Sequence, residues 1–117
     1  MKYTIDKKKN HVVFQLNEEN LNSFISPDLK SEFIILRNEG VNNLIFDMSE
    51  VKYVDSSGLS SILTANRLWK GQGNFILSGI NYDPVKRLIE ISRLDSILTI
   101  VPSNDDALEL IDSNEEE

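Results

Sequence analysis

Residues 43–63 read NLIFDMSEVKYVDSSGLSSIL. Asn43 to Met48 is an apolar run too short for a confident helix and bounded by polar residues, so it reads as a buried strand. From about Gly58 to Lys70 the spacing predicts a helix with Leu59, Ile62, Leu63 and Trp69 on one face. Between them Asp55, Ser56, Ser57 and Gly58 set an acid, two hydroxyls and a glycine where strand gives way to helix. Four roles are open to those hydroxyls: nucleophile, helix cap, phosphate ligand or phosphate acceptor.

Upstream, Tyr3 to Ile5 and Val12 to Leu16 read as two strands joined by the polar turn Asp6 to Asn10, a hairpin. The segment NEENLN, Asn17 to Asn22, reads as a loop. Ser26-Pro27-Asp28 supplies a helix start, with Ser26 as the cap. Leu29, Phe33 and Leu36 then recur at helical spacing until Gly40. Downstream, Gly71-Gln72-Gly73 stops the second helix and Phe75 to Leu77 forms another buried strand. Asp83-Pro84 repeats the cap-and-proline start, with Val85, Leu88 and Ile89 as its apolar stripe. Ile97 to Val101 reads as a strand, and Ser103 with Asp106 forms a capping box before a last helix.

The resulting order is β-β-α-β-α-β-α-β-α. It predicts one α/β domain with a mainly parallel β-sheet and an antiparallel N-terminal strand. Leu44 to Phe46, Phe75 to Leu77 and Ile97 to Ile100 are expected to be central or near-central strands. The domain is drawn over residues 1–113, and residues 114–117 are read as a disordered acidic tail.

Lys and Arg number 12 against 19 Asp and Glu, for a net charge of −7. That balance argues against nucleic-acid binding, which needs clustered cations, and against attraction to an anionic membrane. The basic run Lys7-Lys8-Lys9 reads as a solvated turn. The absence of cysteine excludes disulfides and thiolate metal sites. No stretch approaches a membrane span or a signal peptide, so a cytoplasmic protein without membrane insertion is expected.

Serine hydrolysis needs a base, and the single histidine, His11, lies in the early hairpin. A phosphate-binding P-loop needs more glycines and a lysine than this turn holds. Glu18, Glu19 and Asp47 invite comparison with a magnesium-holding receiver domain, but Val101-Pro102 lacks the receiver's lysine. Neither a metal nor any other cofactor is implied. There remains a serine modified by another protein. Extended back, the helical wheel puts Ser57 with Ser60, Ser61 and Thr64, opposite the leucine stripe. Leu68 falls near the same direction. That face is expected to point outward as a docking surface with Leu68 as an apolar contact.

At these residues the chain resembles the STAS family, the anti-sigma factor antagonists of bacterial partner switching. The block DMSEVKYVDSSGLSSIL, Asp47 to Leu63, is similar to the family signature, and LNSFISPDL, Leu21 to Leu29, to its Leu-Asp-x-x-x-Ala-Pro-Glu-Leu segment. The resemblance implies a non-enzymatic binding protein. Its partners would be a GHKL-type anti-sigma factor serine kinase and a serine phosphatase. By position it implies Ser57 as the phosphate acceptor, with Ser56 and Gly58 shaping the loop and Asp55 holding it. Asn22 stands where the family has aspartate, beside the acceptor loop. Partner-binding residues are thus expected at Asn22, Asp55, Ser56, Gly58, Ser61 and Leu68. The alternative is a constitutive STAS subunit of a regulatory, sensory or transport complex, in which the serine pair is only a turn.

Overall fold

A computed structural model describes residues 1–115. In chain order the elements are β1 (Tyr3–Lys7), β2 (Val12–Leu16), β3 (Asn20–Leu21), α1 (Ser26–Asn38), β4 (Asn43–Asp47) and β5 (Tyr53–Val54). They continue with α2 (Ser56–Trp69), β6 (Asn74–Ser78), α3 (Asp83–Ile91), a 3-10 turn (Leu94–Ser96), β7 (Thr99–Val101) and α4 (Asn104–Glu115). Five strands form one sheet in the order β1-β2-β4-β6-β7. β1 is antiparallel to β2 and the remaining pairs are parallel. The predicted fold class and its single antiparallel strand are therefore present.

Alternation explains the layers. In β4, Leu44 and Phe46 face one side with Phe75 and Leu77 of β6, while Ile45 and Ile76 face the other. The first side carries α1, α2 and α3, through Leu29, Phe33, Leu36, Ile62, Ala65, Trp69, Val85 and Ile89. The second carries α4, through Ala107 and Ile111. Strands covered on both faces favour the continuous apolar runs seen here. The α4 side stays partly open over β1, where Thr4 and Asp6 are exposed.

Asp47 ends β4 inside the fold. It accepts hydrogen bonds from Ser49 N at 2.9 Å and from Asn104 Nδ2 at 3.0 Å, and Asn104 Oδ1 accepts from Ser78 Oγ. The start of α4 is thereby tied to the ends of β4 and β6. Half of the expected capping box is present: Ser103 Oγ accepts from Asp106 N, while the Asp106 carboxylate accepts from the Ser103 hydroxyl rather than from its backbone N–H. Gly40, at φ +90°, ends α1 in a left-handed conformation that favours glycine.

Several expectations need correction. β7 is the sheet edge rather than a central strand, and it begins at Thr99. The 3-10 turn takes up the preceding residues, so that Leu94 and Leu98 point inward and Ile97 is left 59% exposed. The loop NEENLN contains β3, which pairs in parallel with β5 as a separate two-stranded sheet. Ser26 is not a cap: it is the first residue of α1, is buried, and donates from Oγ to Asn22 O at 2.6 Å. Asp83 likewise opens α3 without capping it. Asn114 and Glu115, expected in the tail, belong to α4, and positions 116–117 lie outside the described residues.

Candidate functional site

The helix α2 begins with a cap, and the cap is Asp55. Its backbone is extended (φ −98°, ψ −174°) and its carboxylate accepts from Gly58 N at 2.9 Å. This is the usual work of an N-cap side chain. Ser56 and Ser57 therefore do not cap the helix but open it. Among the described residues no side-chain hydrogen bond within the chain engages either hydroxyl. Ser56 is exposed and Ser57 half-buried. The helix itself supplies no acceptor for their amides, which belong to its first turn.

Gly58 decides what lies beside that turn. A Cβ there would sit 2.3 Å from Leu21 O and 2.7 Å from Leu21 Cγ. Only glycine lets β3 lie this close to the start of α2. The approach is fixed by the β3–β5 pairing, Asn20 with Tyr53 and Leu21 with Val54, and by Asp55 N donating to Leu21 O at 3.1 Å. Asn22, the next residue, follows Leu21 beside the start of α2. Its Oδ1 accepts from Phe24 N at 3.0 Å, and its carbonyl accepts from Ser26 N at 2.9 Å. An asparagine can build this turn without the negative charge of an aspartate.

Two residues expected on the docking face are placed differently. Ser61 is fully buried (0% exposed), and its Oγ donates to Gly58 O at 2.6 Å. The inward face of α2 is Gly58, Ser61, Ile62, Ala65 and Trp69, so the helix is turned about one residue from the leucine-centred wheel. Small residues allow α2 to lie close to its neighbours, and the hydroxyl of Ser61 is satisfied on its own helix, which makes its burial cheap. Leu59 and Leu63 are only partly buried. Leu68 is partly buried and packed against the core rather than fully exposed.

The sequence reading missed two side chains near this corner. Phe24, at the loop before α1, is 89% exposed. A phenylalanine outside the helical stripe of α1 was the available signal. Lys30 reaches from α1 to α2, donating from Nζ to Ser60 Oγ at 3.1 Å. Nothing in the local pattern announces that contact, which arises from the packing of α1 on α2.

The rejected chemistries stay apart. Val12 pairs with Leu44 at the start of β4, so His11 lies at the opposite end of the sheet from the serine pair, bonded to Asn10 Oδ1 at 2.7 Å. Glu18 accepts from Lys2 N, and Glu19 pairs with Lys52 at 3.1 Å. Among the described residues no group of three His, Asp or Glu could hold a metal ion. No described helix is long and apolar enough to cross a membrane. What the corner offers is an unengaged pair of serines at an accessible helix start.

The family model for the STAS domain matches residues 2–107. A Thermotoga maritima protein assigned as an anti-sigma factor antagonist superposes with a TM-score of 0.86 at 25% identity, over 93% of each chain. The phosphorylated form of the Bacillus cell fate determinant SpoIIAA shares the fold, with a TM-score of 0.71 at 16% identity over 94% of this chain and 99% of that one. A singly substituted form of Moorella thermoacetica RsbS shares it too, with a TM-score of 0.80 at 17% identity over 100% of both chains. No curated protein sequence matches the chain significantly.

Proposed function

Because this chain belongs to the STAS domain family, we propose that it is an anti-sigma factor antagonist of a bacterial partner-switching system. It works in the cytoplasm as a ligand and substrate rather than as a catalyst. Unphosphorylated, it binds a GHKL-type serine kinase that doubles as an anti-sigma factor, and so releases the sigma factor. The kinase then moves the γ-phosphoryl group of ATP to Ser57 Oγ. The hydroxyl proton passes to a base of the kinase, and ADP leaves. A serine phosphatase hydrolyses the phosphoserine with water, returning the hydroxyl and releasing inorganic phosphate.

The observation that carries this reading is the division of labour at the start of α2. Asp55 performs the capping, so Ser57 can change chemically without unmaking the helix. A phosphate adds roughly −1.5 to −2 charges and sits tolerably at a helix N-terminus. The fold can accept it while the docking face cannot, because an unpaired double charge is costly to bury in an interface. Phe24, exposed and next in sequence to Ser23, which shares a depression with Ser57, supplies an apolar anchor for the partner.

The test is incubation with the cognate kinase and ATP, mapping of the modified residue, and titration of kinase binding before and after. Phosphate is expected at Ser57, with affinity lowered at least about a hundredfold, which is ~2.7 kcal/mol. Phosphate only at Ser56, or unchanged affinity, overturns the switch and leaves the constitutive-subunit reading.

A further inference from the structure

Ser57 does not stand alone on its face of α2. It shares a shallow depression with Ser60, one helical turn on, and with Ser23, Ser26, Pro27 and Lys30 from the start of α1 and the loop before it. The ammonium of Lys30 is already directed there, donating to Ser60 Oγ at 3.1 Å. Lys7, Lys8 and Lys52 each face a carboxylate, whereas none lies within ion-pair distance of Lys30 among the described residues. Lys2, Lys9, Lys70 and Lys86 likewise show no ion pair among the described residues but are exposed, whereas Lys30 is half-buried against hydroxyls.

We propose that Lys30 is the in-chain partner of a phosphate on Ser57, an inference that rests on phosphorylation at that residue. One turn of helix is about 5.4 Å, within the combined reach of a phosphoseryl group and a lysine stem. On modification the ammonium exchanges the neutral Ser60 hydroxyl for a dianionic acceptor, a stronger hydrogen bond. The phosphate is then drawn toward α1 and bridges the starts of the two helices. Lys30 is a positioning residue in this scheme. It fixes the phosphate in one place and favours its dianion.

The experiment installs phosphoserine at position 57 during translation, so no kinase is needed, and follows its ionisation by phosphorus NMR. Three proteins are compared: the parent, Lys30→Gln and Lys52→Gln. An ammonium beside the phosphate lowers its second pKa, so Lys30→Gln is expected to titrate about half a pH unit higher than the parent. Lys52→Gln, which removes an equal charge from a lysine that is outside the depression and paired with Glu19, is expected to match the parent. The carboxylates of the two helix starts, Asp28 and Asp55, are the same in all three and cancel. Equal midpoints for parent and Lys30→Gln overturn the inference, as does an equal shift in both variants, which reports net charge alone. Failure of the kinase assay above would remove the switch but leave this titration readable.

Discussion

The centre of the sheet and the corner at the start of α2 are held by different forces. At the centre, Phe33 of α1 lies on β4 and β6, its ring 5.2 Å from that of Phe46 and 5.8 Å from that of Phe75, edge to face in both cases. Leu44 and Leu77 complete a wholly apolar patch. At the corner, Leu21 is the buried apolar side chain, and the rest is main-chain hydrogen bonding, the buried hydroxyls of Ser26 and Ser61, one carboxylate cap and a contact that excludes even a methyl group. The centre derives its stability from area, and the corner derives its shape from directed bonds. Side chains that packing does not require, such as Ser56, Ser57 and Phe24, are therefore available at the corner for binding and modification.

The largest effect is expected at the centre. Phe33→Ala removes a fully buried ring and leaves a cavity, at a cost of about 3–5 kcal/mol. Urea unfolding should show a lower midpoint with an unchanged slope. A loss under about 1 kcal/mol would mean that the centre can collapse around the gap, and the contrast with the corner would fail.

Next comes Gly58→Ala. Inside a helix this change ordinarily stabilises by roughly 0.5–1 kcal/mol. Here the added carbon meets Leu21 O at 2.3 Å, so the sign is expected to reverse, with a loss of about 1–3 kcal/mol. Faster amide exchange at Asp55, whose N–H is bonded to Leu21 O, would locate the damage at the corner. A gain in stability would show that β3 can move away from α2 at no cost.

The same contrast explains what can be read from the sequence. Leu44 to Phe46 and Phe75 to Leu77 declare themselves as strands because area is summed over side chains, and side chains are what a sequence displays. β3 and β5 are two residues each, too short for any periodicity, and exist only because they pair. A wheel that counts leucines misplaces the inward face of α2. Gly58, Ser61 and Ala65 are inward because they are small, and smallness carries weight only once a neighbouring helix is known. Ile97 has the composition of a strand start, but the 3-10 turn before it is a product of the connection from α3. The candidate acceptor serine is legible through the DSSG block and its resemblance. Whether aspartate or serine caps the helix is not legible, since both are good caps.

That last ambiguity gives a third, smaller effect. Asp55→Ala is expected to cost about 1 kcal/mol, the usual loss for an N-cap, whereas Ser57→Ala should stay within about 0.5 kcal/mol of the parent. Thermal unfolding of the two variants side by side checks this. If the costs were reversed, Ser57 would be structural and the free hydroxyl on which the switch depends would be lost.

The smallest effect concerns the ion pair that closes the back of the corner. Glu19 accepts Lys52 N at 2.8 Å and Tyr53 N at 3.1 Å through its carbonyl, and its carboxylate meets Lys52 Nζ at 3.1 Å. The main-chain bonds survive any change of side chain, and the pair itself is open to solvent, where such pairs contribute little. Lys52→Gln should thus leave stability nearly unchanged at neutral pH. The pair has a signature in alkali all the same. The hydrogen bond to Glu19, then its charge, raise the Lys52 pKa above the ordinary 10.5. A raised lysine pKa means that the folded state holds its proton more tightly than the unfolded state. The contribution is complete below pH 10.5 and fades as the pH climbs through the folded value. Tyr3, whose pKa is also raised by its hydrogen bond to Glu32, changes over an overlapping range, but it is common to both proteins and cancels in their difference. The stability difference between parent and Lys52→Gln, followed by denaturant titration from about pH 8 to about pH 11.5, should therefore be small and flat at first and then shrink. A difference that grew with pH would mean that Lys52 is held by something other than Glu19.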